Sequence, residues 1–312
     1  MTGMERSTYF WYYDGTAAKA QQVADTGATI AYIKAGGDQG VVWIPGAPTG
    51  GFARPQWDER YLRPLTERGV TCYPWFYNWP GEQDKAAVTR ALSHLPSPVV
   101  VLNPETEWRV QSPHSPYQTL TEGNVYAEAW VRDLRTRLPV GTQIGCAPVP
   151  SWSDFPYEGF CAACDFAQPQ HYWHDELMAR GENQVEAHFR RAPQTPCTPI
   201  LTACREYNDA GVLRLAESAL LHPIKGFSSW EAGNAAWQAD AMKEAYAMLP
   251  QDNLTTPTNP SPIITPETNW GPDSKGRVVH RAETILVIND EEGKTYIGVR
   301  IDGNQLPWQE VK

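Results

Sequence analysis

The sequence predicts an α/β chain: a (β/α)₈ TIM barrel followed by a Pro-rich linker and a small antiparallel β module. Three observations carry this. Eight short segments rich in β-branched and aromatic residues occur before residue 249, stretches of helical period separate them, and the character of the chain changes at Pro250. Helices alternating with nearly continuous apolar strands imply parallel pairing with both faces covered. Eight such units fit a closed barrel, which needs about 250 residues.

In order, the strand segments are Ser7–Tyr13, Thr29–Gly36, Val70–Trp79, Pro98–Asn103, Gln143–Pro148, Asp165–Trp173, Pro199–Ala203 and Gly226–Trp230. The helical stretches are Thr16–Asp25, Gln56–Arg68, Glu82–Leu95, Glu122–Leu138, Asn183–Arg191, Asn208–Leu221 and Ala235–Met248. The fourth repeats Val125, Ala129, Val131 and Leu134 near the 3.6 period of a one-sided helix. The fifth unit is weakest, because Ser153–Cys164 offers little helix. The barrel is assigned residues 1–249. Residues 250–276 are rich in Pro, Thr and Asn without a period, the composition of a semi-extended linker. Residues 277–312 hold alternating strands at Thr284–Ile288, Thr295–Ile301 and Gln305–Val311, joined by Gly-containing turns. A module this small is marginal alone and is expected to dock.

Composition narrows the function classes. Hydrophobic residues at 41% and charged residues at 20% exclude wholesale disorder. The net charge is −10, the pI is near 5.2, and no Lys/Arg cluster occurs, so nucleic acid is not an expected partner. No run approaches the ~18 apolar residues of a membrane span. The first eight residues lack the basic start, apolar stretch and cleavage site of a signal peptide. Of six cysteines (Cys72, Cys146, Cys161, Cys164, Cys197, Cys204), only Cys161 and Cys164 form a CxxC, and no second pair completes a metal set. They read as small buried hydrophobes, with pairing of Cys161 and Cys164 left open. No metal or cofactor is expected.

In a barrel the chemistry sits at the carboxyl ends of the strands. There the sequence places Asp14, then Lys34 and Asp38. Strand three supplies Trp75, Tyr77 and Asn78, and strand four supplies Asn103, Glu105, Glu107 and Trp108. The later strands contribute Trp152, Gln170, His171, Tyr172, Glu206 and Trp230. Sugar rings stack apolar C–H faces on Trp and Tyr and offer hydroxyls to amides and carboxylates. Glycosidic cleavage needs two carboxyl groups, one donating a proton and one acting as nucleophile or base. The expected catalytic set is therefore Glu105, Glu107, Asp14 and Glu206. The expected substrate-binding set is Lys34, Trp75, Tyr77, Asn78, Asn103, Trp108, Trp152, Gln170, Tyr172 and Trp230. Blander roles exist for each kind of residue. Asp14 suits the start of the first helix, Lys34 suits pairing with Asp14 or Glu105, and the tryptophans suit packing between helices.

An Asp ending strand one, with acids spaced by one residue after an apolar fourth strand, resembles glycoside hydrolase family 25. Asp14 is similar to that family's first-strand Asp, and its Asp-x-Glu falls on Asn103-Pro-Glu105 or on Glu105-Thr-Glu107. The resemblance implies a muramidase cutting peptidoglycan. In the first alignment, Asn103 stands where the family has a carboxylate. The sequence also resembles the retaining glycosidases with an acid/base Glu on strand four and a nucleophile Glu on strand seven. There Glu105 and Glu206 take those places and Trp230 the strand-eight Trp, with Pro104 interrupting the Asn-Glu pair. These likenesses imply a wall-directed hydrolase made in the cytoplasm and released by lysis or carried on a virion, with residues 277–312 contacting wall, virion proteins or a second copy. The competing expectation is a barrel that binds glycan or serves structurally without catalysis. An aldol-type enzyme using Lys34 is a third possibility, weakened by the lack of a Gly-rich phosphate loop after strands seven and eight.

Overall fold

The computed structural model describes residues 4–37, 39–47, 55–172, 183–203 and 209–250, together with the backbone of four strands between 284 and 311. The chain divides into two units, Met1–Asn253 and Leu254–Lys312.

The first unit is a parallel barrel. Its strands are β1 (Glu5–Phe10), β2 (Ile30–Gly37), β4 (Thr71–Asn78), β5 (Val99–Pro104), β6 (Gln143–Cys146), β7 (Phe166–Ala167), β8 (Gln170–His171), β9 (Ile200–Thr202) and β10 (Gly226–Trp230). A two-residue strand, β3 (Val41–Val42), folds back antiparallel on β2, a feature absent from the sequence expectation. The order is β7-β6-β5-β4-β2-β1-β10-β9-β8. The two ends of this order, β7 and β8, are halves of one strand interrupted at Gln168-Pro169. The lower half pairs with β6 and the upper half with β9. Backbone bonds from Ala167 N to Pro196 O (2.8 Å) and from Gln170 N to Pro148 O (3.0 Å) reach the opposite neighbours, so the sheet closes on itself.

Helices α1 (Ala17–Asp25), α2 (Glu59–Thr66), α3 (Glu82–His94), α4 (Leu120–Arg137), α5 (Tyr157–Ala163), α6 (Gln184–Arg191), α7 (Asp209–Leu220) and α8 (Ala239–Met248) follow the strands. Local chemistry sets their starts. Thr119 and Glu122 form a reciprocal capping box on α4, and Asp58 and Asn183 accept N–H bonds from the first turns of α2 and α6. The weak fifth unit does form a helix, the seven-residue α5. Strand one ends at Phe10, short of the expected Tyr13.

Period-two alternation divides each strand between two cores. Phe10, Ile33, Phe76, Val100, Leu102 and Leu201 face the helices, whereas Tyr9, Tyr32, Trp75, Val101 and Ile200 fill the bore. At the amino end of the bore lies a polar layer around the Glu5 carboxyl. Its Oε1 accepts bonds from Ser7 Oγ (2.6 Å), Tyr32 OH (3.0 Å) and Gln168 Nε2 (3.0 Å), and among the described residues Oε2 receives only Thr198 Oγ1 at 3.5 Å. Gln168 also donates to Ser228 Oγ (3.1 Å) and accepts from Tyr9 OH. Burial raises the Glu5 pKa against these bonds.

In the second unit, β11 (Thr284–Asn289), β13 (Asn304–Gln305) and β14 (Gln309–Val311) all pair antiparallel with β12 (Thr295–Ile301). The expected linker lies outside the described residues after Pro250. Among the described residues no helix is long and apolar enough to cross a membrane.

Candidate active site

The inner face of the strands delivers a compact set of side chains to the carboxyl end of the barrel. On β2 a bulge between Lys34 and Gly36 shifts the register against β4. Gly37 then packs so closely on β4 that a Cβ there would collide with the Tyr77 carbonyl. Lys34, at the bulge, is fully buried, with its ammonium 3.3 Å from the Trp11 ring centre. The rings of Trp43, Trp75 and Tyr77 lie at 4.9, 5.5 and 5.6 Å. Such a cage stabilises a desolvated cation through the ring quadrupoles.

The aromatic floor is continuous. Trp11 stands 5.7 Å from Trp75 and 6.1 Å from Trp230, and Trp75 stands 5.8 Å from Trp230. Trp11 is 38% exposed, the open face of this floor, while Trp75 lies beneath it. Tyr172 packs against the same inner cluster.

Beside the floor, at the end of β5, stands Glu105. Its Oε1 accepts N–H bonds from Asn103 Nδ2 and Gln170 Nε2, both at 3.0 Å. Gln170 is itself fixed by Asn103 Oδ1 (2.8 Å) and the Ala147 carbonyl (2.9 Å). Oε2 of Glu105 has no hydrogen-bond partner among the described residues. Burial raises the Glu105 pKa. The two amides and the Lys34 ammonium oppose that shift, and the nearby Glu107 adds to it. Glu107 accepts from Tyr77 OH at 2.9 Å. Burial, then Glu105 and Glu107, push the Tyr77 phenol far above its ordinary range, so it remains a donor.

The structure thus brings together Lys34, Trp75, Tyr77, Asn103, Glu105, Glu107, Gln170, Tyr172 and Trp230. Four expected residues stand elsewhere. Asn78 falls on the helix-facing side of β4 with Cys72 and Phe76, fully buried. Trp108 ends a turn of 3₁₀ helix that carries it out of the mouth. It is fully buried against Trp130 and Phe160, with its indole donating to Asn78 O at 2.7 Å. Trp152 packs on Phe155 and under the Arg109 guanidinium, away from the floor. Asp14 is exposed and accepts from Thr16 N (2.9 Å) in the turn ahead of α1, whose N-cap is Thr16 and not Asp14. His171 also turns outward, bonding Ser218 Oγ of α7, with burial lowering its pKa to about 4. Asp38 and Glu206 lie outside the described residues.

Trp11 and Trp43 were not expected at the site. Trp11 was legible, because Ser7, Tyr9 and Trp11 alternate onto one face of strand one. Trp43 depends on the β3 hairpin, for which the sequence shows no signal.

No protein-family model and no curated protein matches the sequence. Solved structures do. A β-galactosidase from the psychrophilic Marinomonas ef1 superposes with a TM-score of 0.52 at 11% identity, over 78% of this chain and 58% of that one. A putative α-L-fucosidase from Bacteroides thetaiotaomicron superposes with a TM-score of 0.50 at 11% identity, over 78% and 92% of the two chains. The barrel is glycosidase-like in fold. The chain spans a little over half the length of the β-galactosidase. At this identity the likeness concerns the fold, and any chemistry has to be argued from the mouth of this glycosidase-like barrel. Among the described residues no group of three or more His, Cys, Asp and Glu side chains is placed to hold a metal ion.

Proposed function

We propose that the chain is a glycoside hydrolase in which Glu105 is the proton donor. The observation that carries this is the setting of its carboxyl. Burial favours the protonated form, two amide N–H groups occupy Oε1, and Oε2, which has no hydrogen-bond partner among the described residues, is the oxygen placed to carry a proton. A general acid needs this arrangement to protonate a leaving-group oxygen. Glu107, held by the Tyr77 hydroxyl, is the proposed second carboxyl group, acting as base or nucleophile. The half-exposed face of Trp11, with Trp230 beside it, is proposed to take the apolar face of a sugar ring.

The proposed substrate is a cell-wall polysaccharide, with peptidoglycan first, on the resemblance that Glu105 carries to the family 25 muramidases. With it we propose action at the wall after release by lysis or from a virion. The opposing reading, a barrel that binds glycan without cutting it, is favoured by one observation: an amide, Asn103, stands against Glu105 where the family has an acid.

The test is release of reducing ends from purified peptidoglycan and from a panel of neutral and acidic polysaccharides, by wild type and by Glu105→Gln and Glu107→Gln. Release by wild type and its loss in Glu105→Gln support the reading. Release that survives in Glu105→Gln removes Glu105 as the acid. No release from any glycan by folded wild-type protein, with retained glycan binding, establishes the binding barrel instead.

A further inference from the structure

Two of the rings around Lys34 hang on one short segment, Gln56-Trp57, just ahead of α2. Trp57 N donates to Trp43 O at 3.0 Å and ties the segment to the β3 hairpin. Gln56 reaches the other way. Its side chain is fully buried and uses both ends on the turn that leaves β1: Nε2 donates to Trp11 O at 3.0 Å, and Oε1 accepts from Tyr13 N. Nε2 also stands 3.5 Å from the Lys34 carbonyl at the bulge of β2. From the opposite side Glu231 Oε1, just past β10, accepts from Trp11 N at 3.2 Å. Both main-chain polar groups of Trp11 are therefore held by side chains from distant parts of the chain. The ladder of β1 stops one residue earlier, at Phe10.

This grip secures an exposed ring and not a piece of core. Trp11 is open to solvent, yet its ring centre lies 3.3 Å from the Lys34 ammonium, which is fully buried. A surface tryptophan left to itself populates several rotamers and has to be ordered each time a ligand stacks on it. A ring already fixed avoids that cost.

We propose that Gln56 is a positioning residue: by fixing the main chain of Trp11 it sets the ring as a cover over Lys34 and as a rigid platform for a sugar ring. The platform's part in glycan binding rests on the glycosidase reading above, whereas the cover over Lys34 does not.

The experiment acetylates the full chain with sulfo-N-hydroxysuccinimide acetate in mild alkali and maps the modified lysines by peptide mass, in wild type, Gln56→Met and Trp11→Ala. Methionine keeps the length of the side chain and removes the amide donor and acceptor. The expected result is Lys34 protected in wild type and acetylated in both variants. Lys85, buried and paired with Asp133 of α4, should stay unmodified in all three. Soluble peptidoglycan fragments, titrated by calorimetry, should bind Gln56→Met roughly 2- to 10-fold more weakly than wild type, the effect of ordering one freed side chain. Hydrogen exchange on wild type needs no variant: the Tyr13 amide, bonded to Gln56, should exchange slowly. Lys34 protected in Gln56→Met or in Trp11→Ala, fast exchange at Tyr13, or equal glycan affinity in wild type and Gln56→Met each overturns the proposal. If Lys85 reacts as well, the variant has unfolded and the exchange measurement decides. Wild type that binds no fragment counts against the glycosidase reading, and the state of Lys34 still decides this one.

Discussion

Replacing Glu5 at the amino end of the bore separates a hydrogen-bonding role from a charge penalty. In Glu5→Gln the amide oxygen takes the place of Oε1 and keeps the bonds from Ser7, Tyr32 and Gln168. The new NH₂ replaces Oε2, where it meets the Thr198 hydroxyl, which can turn to accept. What disappears is the ionisable group. Because burial raises the Glu5 pKa in the fold, the protonated form is the stable partner of the native state. Its contribution is complete below the unfolded value of about 4.3 and is lost as pH rises through the higher folded value. Glu5→Gln lacks this loss. It should melt with wild type at pH 4 and above it at pH 8, by roughly 2–4 °C for each kcal/mol of penalty removed. Glu5→Ala instead strands three donors in the bore, at roughly 1–3 kcal/mol each, and should melt at least about 6 °C lower at every pH. Thermal melts monitored by circular dichroism between pH 4 and 8 measure all three proteins. A Glu5→Gln protein that melts below wild type at pH 8, or a difference that does not change with pH, would refute the reasoning.

Trp108→Ala should cost about 3–5 kcal/mol, because the indole is enclosed between α4 and α5. Trp11→Ala, with its face open, should leave the melting temperature within a few degrees while weakening glycan binding measured by calorimetry. Lys34→Met removes the charge that lowers the Glu105 pKa, so the alkaline limb of the pH–rate profile should move to higher pH; a limb that stays in place detaches it from Glu105. Asn103→Asp exchanges an amide donor for a second acid beside Oε1, and the same limb should again move up.

The barrel was legible because alternation between periods of two and 3.6 runs through residues 1–249 with little interruption, and each predicted helix appears within a few residues of its expected ends. The site was legible where a strand's inner face could be followed: Lys34, Tyr77, Asn103, Glu105 and Gln170 share the parity of the bore. Asn78 and His171 were misplaced through neglect of that parity, each being one residue out of phase with its inward neighbour, Tyr77 or Gln170. Trp108 was lost to a different cause. Beyond the strand, three residues of 3₁₀ helix rotate an apolar ring toward the helices, and no period encodes that turn. Asp14 shows competition between roles, since a short acid ahead of a helix is as well suited to bind N–H groups as to do chemistry.

The interrupted strand β7–β8 has a consequence for how the molecule comes together. Gln168 and Gln170 project from it on the same side, two residues apart. One holds the Glu5 carboxyl deep in the bore, and the other holds Glu105 at the rim. The proline between them withholds a backbone donor just where the strand changes partners. A slip of one residue at this seam would turn both amides toward the helices and take one bond from each acid at once. Sealing the sheet and completing the rim are thus linked, and a chain with an open seam lacks one tether on each acid.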